Sequence, residues 1–168
     1  MQQHTSANTS INKNKVPQLF TTVSKHIGWA ERTVNFDIGG GKFDTASNYL
    51  LHKKYVFNCI YDPYNRSDEE NAKTLAYMIE YGADTATLSN VLNVIDSVEA
   101  IEEALNLAYR ALNKYGICYI TCYKSKKKGK SKKDCWQRGK PLDWYMPYVE
   151  KVFGNVTKKH GMLIAVKK

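Results

Sequence analysis

Several things are missing from this 168-residue chain, and each absence narrows the reading. No run of 18 apolar residues occurs, so no membrane-spanning helix is expected. The start, MQQHTSANTSINKNK, lacks the apolar stretch of a secretory signal. We expect residues 1–15 to be a polar, disordered N-terminus and residues 16–168 to form a single domain. The four cysteines, Cys59, Cys118, Cys122 and Cys135, make no CxxC pair and have no histidine at zinc-ligand spacing. No metal site is expected, and the thiols are expected to be reduced in a cytoplasmic protein. Cys118 and Cys122 lie in an apolar run and are assigned to the core. No Ser-His-Asp order and no Walker-type loop is visible.

What is present is apolar residue enough for one core, 43% of the chain, and a net charge of +9. The charge is uneven. KSKKKGKSKK, Lys124 to Lys133, holds seven lysines and no acid, so the rest of the chain carries only +2. Strand and helix patterns alternate. Pro17–Trp29 reads as an amphipathic helix with Leu19, Val23 and Ile27 on one face. Thr33–Ile38 reads as a strand ended by GGG, and KFDTASNYLLHKK as the next helix. Tyr55–Tyr61 is a second strand. Ser67 and Glu70 form a capping box for a third helix. A third strand lies in DTATLSNVLNVI. Asp96 and Glu99 form a second capping-box pattern, with Ile101, Leu105, Ala108 and Leu112 on one helix face and Gly116 ending that helix. Ile117–Tyr123 is a fourth strand. PLDWYMPYVEKVF is a short helix interrupted at Pro147, and NVTKKHGMLIAVKK closes the chain as one or two strands hinged near His160-Gly161. His52 and His160 are expected at solvent. This alternation predicts an α/β fold, a three-layer α/β/α sandwich on a mostly parallel, Rossmann-like sheet of about six strands with an antiparallel closing strand.

Between the first strand and its helix lies Asp37-Ile38-Gly39-Gly40-Gly41. Glycines there allow a sharp turn and let a ligand approach the main chain, and the following helix offers free N–H groups. Asp62 ends the next strand 25 positions after Asp37. That is near the spacing at which a nucleotide fold places the acid for a ribose hydroxyl. The third position of a dinucleotide fingerprint counted from Gly39 would be Asp44, and an acid suits a pyrophosphate poorly. Asp37, preceding the glycines, suits a cationic amine. A ligand cationic at one end and a ribose nucleoside at the other is S-adenosylmethionine (SAM) rather than NAD.

These residues resemble a family. FDIGGGKFD is similar to the first motif of class I SAM-dependent methyltransferases, Tyr61-Asp62 to their second, and LSNVLNVI, Leu88 to Ile95, to the segment ending their fourth strand. The resemblance covers about Thr33 to Lys168. Phe43 departs from it at the third glycine, and no strand is found where the family places its third, whose acid lies beside the adenine. A variant resembling DNA-phosphorothioation-associated methyltransferases of phages and bacteria shares the DPYN-like and VLNVI-like pieces, and a phage origin would place the protein in a host cytoplasm. The resemblance implies SAM as cofactor, with S-adenosylhomocysteine as product. It implies cofactor contacts from Asp37, Gly39, Gly40, Gly41, Asp62, Pro63, Tyr64, Ser89, Asn90 and Val91, with Tyr64 a stacking partner for adenine.

Tyr61-Asp62-Pro63-Tyr64 also looks like the acid-Pro-aromatic motif of base-amine methyltransferases. That motif follows the family's fourth strand, here Ser89-Asn90-Val91-Leu92, which has neither Pro nor aromatic. Asp62 is therefore assigned to the ribose. Asn90 is the candidate to line the methyl site; alternatively Ser89 and Asn90 only hold the turn or cofactor. No general base is assigned.

The lysine run and its aromatic neighbours suit nucleic acid, lysines for phosphates and Trp136, Trp144 and Tyr145 as stacking faces. Lys126, Lys127, Lys128, Lys130, Lys132, Lys133, Trp136, Gln137 and Arg138 are the candidate contacts. A solvated loop whose aromatics latch over the cofactor is the competing reading. Three functions stay open: a methyltransferase acting on nucleic acid, one acting on a small molecule or protein, and a degenerate module that binds nucleic acid or a partner without catalysis. A body this small leaves little room for a substrate domain, so a homodimer or a partner subunit is expected.

Overall fold

A computed structural model describes residues 13–126, 129–130 and 136–168. In chain order the elements are α1 (Gln18–His26), β1 (Val34–Ile38), α2 (Thr45–Lys54), β2 (Phe57–Tyr61), α3 (Asp68–Tyr81) and β3 (Ala83–Ser89). A 3-10 turn (Leu92–Val94), α4 (Val98–Ala111), β4 (Leu112–Thr121), β5 (Gly129–Lys130) and β6 (Trp136–Gln137) follow. The chain closes with α5 (Leu142–Phe153), β7 (Val156–Lys159) and β8 (Met162–Val166). Six strands form one sheet in the order β2-β1-β3-β4-β8-β7, and β5 and β6 form a separate ribbon. β1 to β4 run parallel, and β8 is antiparallel to both β4 and β7. This is the expected mostly parallel α/β sheet with an antiparallel closing strand. Among the described residues no strand intervenes between β2 and β3, which leaves β2 at an edge.

Strand alternation sends successive side chains to opposite faces. Phe36, Ile38, Ala86, Leu88, Cys118 and Ile120 pack with α3, α4 and α5 into the larger core. Tyr119 and Met162 pack with Leu19, Phe20 and Val23 of α1 and Ala46 and Leu50 of α2 into a smaller one.

The open edge of β2 is closed by side chains. The N–H of Phe57 donates to Thr33 O, and Tyr61 O accepts from Gly39 N, so the odd-numbered residues of β2 face β1. The main chain of Ile60 and Asp62 therefore faces the free edge. There the Thr74 hydroxyl donates to Ile60 O at 2.9 Å. The Asn71 amide accepts from Asp62 N at 2.9 Å and donates to Asp62 O at 3.0 Å. Two side chains of α3 thus stand where a neighbouring strand would pair, one way an exposed edge is protected.

The Ser67–Glu70 capping box forms as expected. Other boundaries differ. α4 is capped by Ser97, which accepts from Ala100 N, rather than by Asp96. Its last residue is Ala111, because the Leu112 main chain turns extended and enters β4. Gly116 lies inside β4, in the irregular stretch where pairing jumps from Ala83–Leu112 to Thr85–Ile117. α1 stops at His26, so Ile27 leaves the apolar stripe and is exposed. α5 runs unbroken through Pro147. Cys59 and Cys118 are buried and Cys122 half-buried, all free thiols, and Cys135 lies outside the described residues. His52 and His160 are exposed, as expected, and His160 stacks on His26. Of the polar start, residues 1–12 lie outside the described residues, and Lys13 O accepts from the Thr45 hydroxyl at the first turn of α2. Among the described residues no helix is long and apolar enough to cross a membrane.

Candidate functional site

The parallel strands β1, β2 and β3 bring three loops together at their C-terminal ends, where ligands bind in open α/β sheets. Asp37, on β1, is 1% exposed. Its Oδ1 accepts from the Thr87 hydroxyl at 2.8 Å, and Asn58 Nδ2 lies 3.5 Å from its Oδ2. Burial pushes its pKa from the ordinary 3.8 up to about 6; the bonds from Thr87 and Asn58 pull it down, the Asp62 charge pushes it up, and Arg66 pulls it down. An acid buried this way favours a cation brought beside it.

The glycine turn is shaped by its neighbours. Gly39 has φ 70°, and a Cβ on it would stand 2.6 Å from Val91 Cγ2. A Cβ on Gly40 would stand 2.5 Å from Asp37 Oδ2. Gly41, at φ 78°, donates its N–H to Asp62 Oδ2 at 2.9 Å. Neither Gly39 nor Gly40 has room for a side chain, so the main chain lies close over the Asp37 carboxylate.

Asp62 is buried and bridges two turns. Besides Gly41 it accepts from Tyr64 N at 3.0 Å, Asn65 N at 3.1 Å and Asn65 Nδ2 at 3.0 Å. Four donors fill about all the lone-pair sites of a carboxylate. Pro63 and Tyr64 are exposed on the turn after β2.

Arg66 was not singled out by the sequence pattern. Its Nε donates to Gly41 O and its Nη2 to Asp44 Oδ1, both at 2.8 Å. It therefore clasps the glycine turn from the β2 side. The signal was its place four residues after Asp62, where a turn returns a side chain to its start.

At the end of β3, Ser89 and Val91 are half-buried and Asn90 is exposed. Asn90 holds a left-handed φ of 58°, and its N–H donates to Thr121 O at 2.9 Å. A non-glycine residue in that region is a sign of local constraint. The glycine turn thus touches Val91, Asp37 and Asp62 through Gly39, Gly40 and Gly41 in turn, with Asn90 and Ser89 just before Val91 in the chain.

The basic segment is a separate feature. Lys126 is exposed; Lys130 belongs to β5; Lys127, Lys128, Lys132 and Lys133 lie outside the described residues. Trp136 and Gln137 form β6 and return the chain to the body. Asn93 Nδ2 donates to Gln137 Oε1 at 2.9 Å. Arg138 N donates to Asn93 O and Arg138 Nη2 to Ile95 O, each at 2.8 Å. Only 8% exposed, the Arg138 guanidinium sits 5.0 Å from the Trp136 ring and 4.8 Å from that of Trp144. Gln137 and Arg138 thus root the basic segment on the turn that follows Asn90. Among the described residues no cluster of histidine, cysteine or acid groups is arranged to hold a metal.

No family model and no curated protein matches the chain. Solved structures do. It is similar to a 1,6-didemethyltoxoflavin-N1-methyltransferase from Burkholderia thailandensis with S-adenosylhomocysteine bound, at TM-score 0.63 and 14% identity over 94% of this chain and 80% of that one. An O-methyltransferase family protein from the same organism gives 0.58 and 16%, over 89% and 54%. The T. thermophilus 16S rRNA N2 G1207 methyltransferase RsmC, in complex with AdoMet and guanosine, gives 0.55 and 15%, over 94% and 45%. The chain spans about half the length of the latter two proteins. At such identities the likeness is one of fold, and the fold is that of the Rossmann-like methyltransferases.

Proposed function

We propose that this chain is a SAM-dependent methyltransferase whose acceptor is nucleic acid. The observation that carries the cofactor reading is the contact of Asp37, Gly40, Gly41 and Asp62 across two adjacent strand ends. Bound SAM supplies a methyl group on a cationic sulfur, so the protein's task is alignment more than activation. Asp37 fits the amino group of the methionine part, since a buried acid gains from a neighbouring ammonium. Gly39 and Gly40 let the main chain come within reach of the ligand. Asp62 fits the ribose diol, whose hydroxyls would replace the donors of the Tyr64–Asn65 turn. Tyr64, exposed on that turn, offers a face to adenine. Asn90 lines the methyl site. For the acceptor, the support is the lysine-rich segment rooted beside Asn90, with the Trp136 and Trp144 rings at its base.

Two observations favour a second reading, a module of this fold that binds a polyanion without catalysis. The Asp62 carboxylate is already saturated by four protein donors, and among the described residues no strand lies beyond β2 in the sheet to flank adenine.

Calorimetric titration with SAM and with S-adenosylhomocysteine separates the two. We expect micromolar binding that Asp62→Ala and Asp37→Asn abolish. No heat with the unaltered chain would sink the cofactor reading. A labelled-methyl assay on DNA, RNA and protein follows. Affinity for oligonucleotide should fall steeply and linearly in log–log form with salt; a flat salt response would remove nucleic acid as acceptor.

A further inference from the structure

The smaller core carries a line of polar side chains. The Thr85 hydroxyl donates to Asn35 Oδ1 at 2.8 Å. Asn35 Nδ2 donates to Thr87 Oγ1 at 2.9 Å and to Asn58 Oδ1 at 2.7 Å. Thr87 then donates to one oxygen of Asp37, and Asn58 approaches the other. Asn35 and Thr87 are wholly buried. The line starts at Thr85, in the wall of a cleft of about 350 Å³ at the opposite end of the sheet from the glycine turn. It ends at the candidate cofactor acid.

Its direction follows from chemistry. An ionised carboxylate only accepts, so the Thr87 hydroxyl must donate its hydrogen bond to Asp37. The Thr87 oxygen is then left to accept, which turns the NH₂ of Asn35 towards it. Asn35 Oδ1 then faces Thr85, which must donate. From Thr85 through Asn35 and Thr87 every bond points at Asp37, while Asn58 also donates away from it, to Ser47; bonds in such chains polarise one another. Stability does not ask for this arrangement, since polar pairs in a core can be replaced by apolar groups of the same shape at little cost.

We propose that Thr85, Asn35 and Thr87, flanked by Asn58, form a one-directional hydrogen-bond relay that holds the Asp37 carboxylate as an oriented anion for a cationic ligand group. Thr85 and Asn35 are positioning residues that do not touch the ligand. The ligand part of this inference rests on the SAM reading; the relay itself does not. The charged groups facing Asp37 are Asp62 from the end of β2 and Arg66 from the turn before α3. β3 presents Thr87, and α2 presents Ser47, which accepts from Asn58 at 3.0 Å.

The test is to follow the Asp37 carboxyl carbon by NMR against pH in the full chain without SAM. Thr87→Val should raise its midpoint by about one pH unit or more, the value of a bond to a charged group. Thr85→Val, three hydrogen bonds from Asp37, should raise it less, and Thr85→Ser should restore it. A Thr85→Val midpoint equal to that of the unaltered chain overturns the relay, and half-buried Thr85 carries the test even if Thr87→Val does not fold. The pH profile of SAM affinity is the second readout, and its midpoint should move in the same order. If the unaltered chain binds no SAM while the carboxyl midpoints shift as described, the relay stands and the cofactor reading falls. SAM binding whose pH midpoint ignores Thr85→Val overturns the relay and leaves the cofactor reading intact.

Discussion

The two faces of the central sheet are built on different principles. Under α3, α4 and α5 the strands offer hydrocarbon and thiol, with Phe36, Ile38, Ala86, Leu88, Cys118 and Ile120. Under α1 and α2 the same strands offer Asn35, Asp37, Thr85 and Thr87, hydrogen-bonded to one another and to Asn58. Only towards β4 and β8 does that second face become apolar, with Tyr119 and Met162. The first face is what hydrophobic burial alone would select. The second holds a buried acid at a disadvantage. The contrast separates the half of the molecule that keeps it folded from the half that keeps a site ready.

Substitutions on the two faces should therefore have opposite signs. The largest loss is expected on the hydrocarbon face. Leu105 of α4 is fully buried, and Leu105→Ala should cost about 2–5 kcal/mol in urea unfolding. A cost below about 1 kcal/mol would mean that α4 is loosely packed. On the polar face a gain is expected. Asp37 is raised from 3.8 to about 6 in the folded chain. A raised acid contributes stability below its unfolded pKa and loses it as pH climbs through its folded pKa. The chain without ligand should thus weaken between about pH 4 and pH 6, by on the order of 3 kcal/mol at most, and stay level above. Asp37→Asn should remove that slope and raise the melting temperature at pH 7, while SAM binding is lost. If Asp37→Asn lowers stability at pH 7, the acid is structural. Arg66→Ala comes next in size. It releases Gly41 O and Asp44 at once, and a loss of about 1.5–3 kcal/mol is the scale for bonds from a charged group. Faster amide exchange at Gly41 is the direct readout, and unchanged exchange would show that Asp62 alone holds the turn.

Much of the fold was legible because it is written in local patterns. The Ser67–Glu70 box, the glycine stop after Ile38 and the alternation of strands and helices each follow from nearest-neighbour chemistry. So did the absence of a strand between β2 and β3. The polar face was half visible. Asn35 and Asp37 alternate with Phe36 and Ile38, and Thr85 and Thr87 with Ala86 and Leu88, at the period of a strand. What the alternation could not supply is register. Only the pairing of Asn35 with Thr85 and Asp37 with Thr87 turns two unremarkable polar sets into one network. Arg66 and Asn71 were missed for a related reason. Each acts on main-chain groups of a neighbouring turn, and a residue that partners a carbonyl leaves no motif. The cap at Ser97 was misplaced by one residue because Asp96 and Ser97 are both good caps, and main-chain geometry chooses between them. Gly116 was read as a helix stop, whereas α4 passes straight into β4 without a glycine and the irregularity of β4 uses it instead.

The smallest effect lies at the edge of β2, and it refines the comparison. Thr74 donates to Ile60 O on the free side of the strand, while Asn71 makes two bonds to the main chain of buried Asp62. Thr74→Val keeps the shape and removes one neutral bond, so about 1 kcal/mol is expected. Asn71→Leu strands the buried Asp62 N–H, while Asp62 O keeps the Arg66 N–H at 3.0 Å; it should cost more than Thr74→Val, with the added loss falling on Asp62. The difference between the two variants in urea midpoints, read beside their SAM affinities, distinguishes two jobs for α3. If Asn71→Leu weakens SAM binding and Thr74→Val does not, the helix that replaces a strand also holds the ribose acid. If both weaken stability equally and leave affinity alone, α3 serves only to close the edge, and the ready half of the molecule shrinks to β1, β3 and the glycine turn.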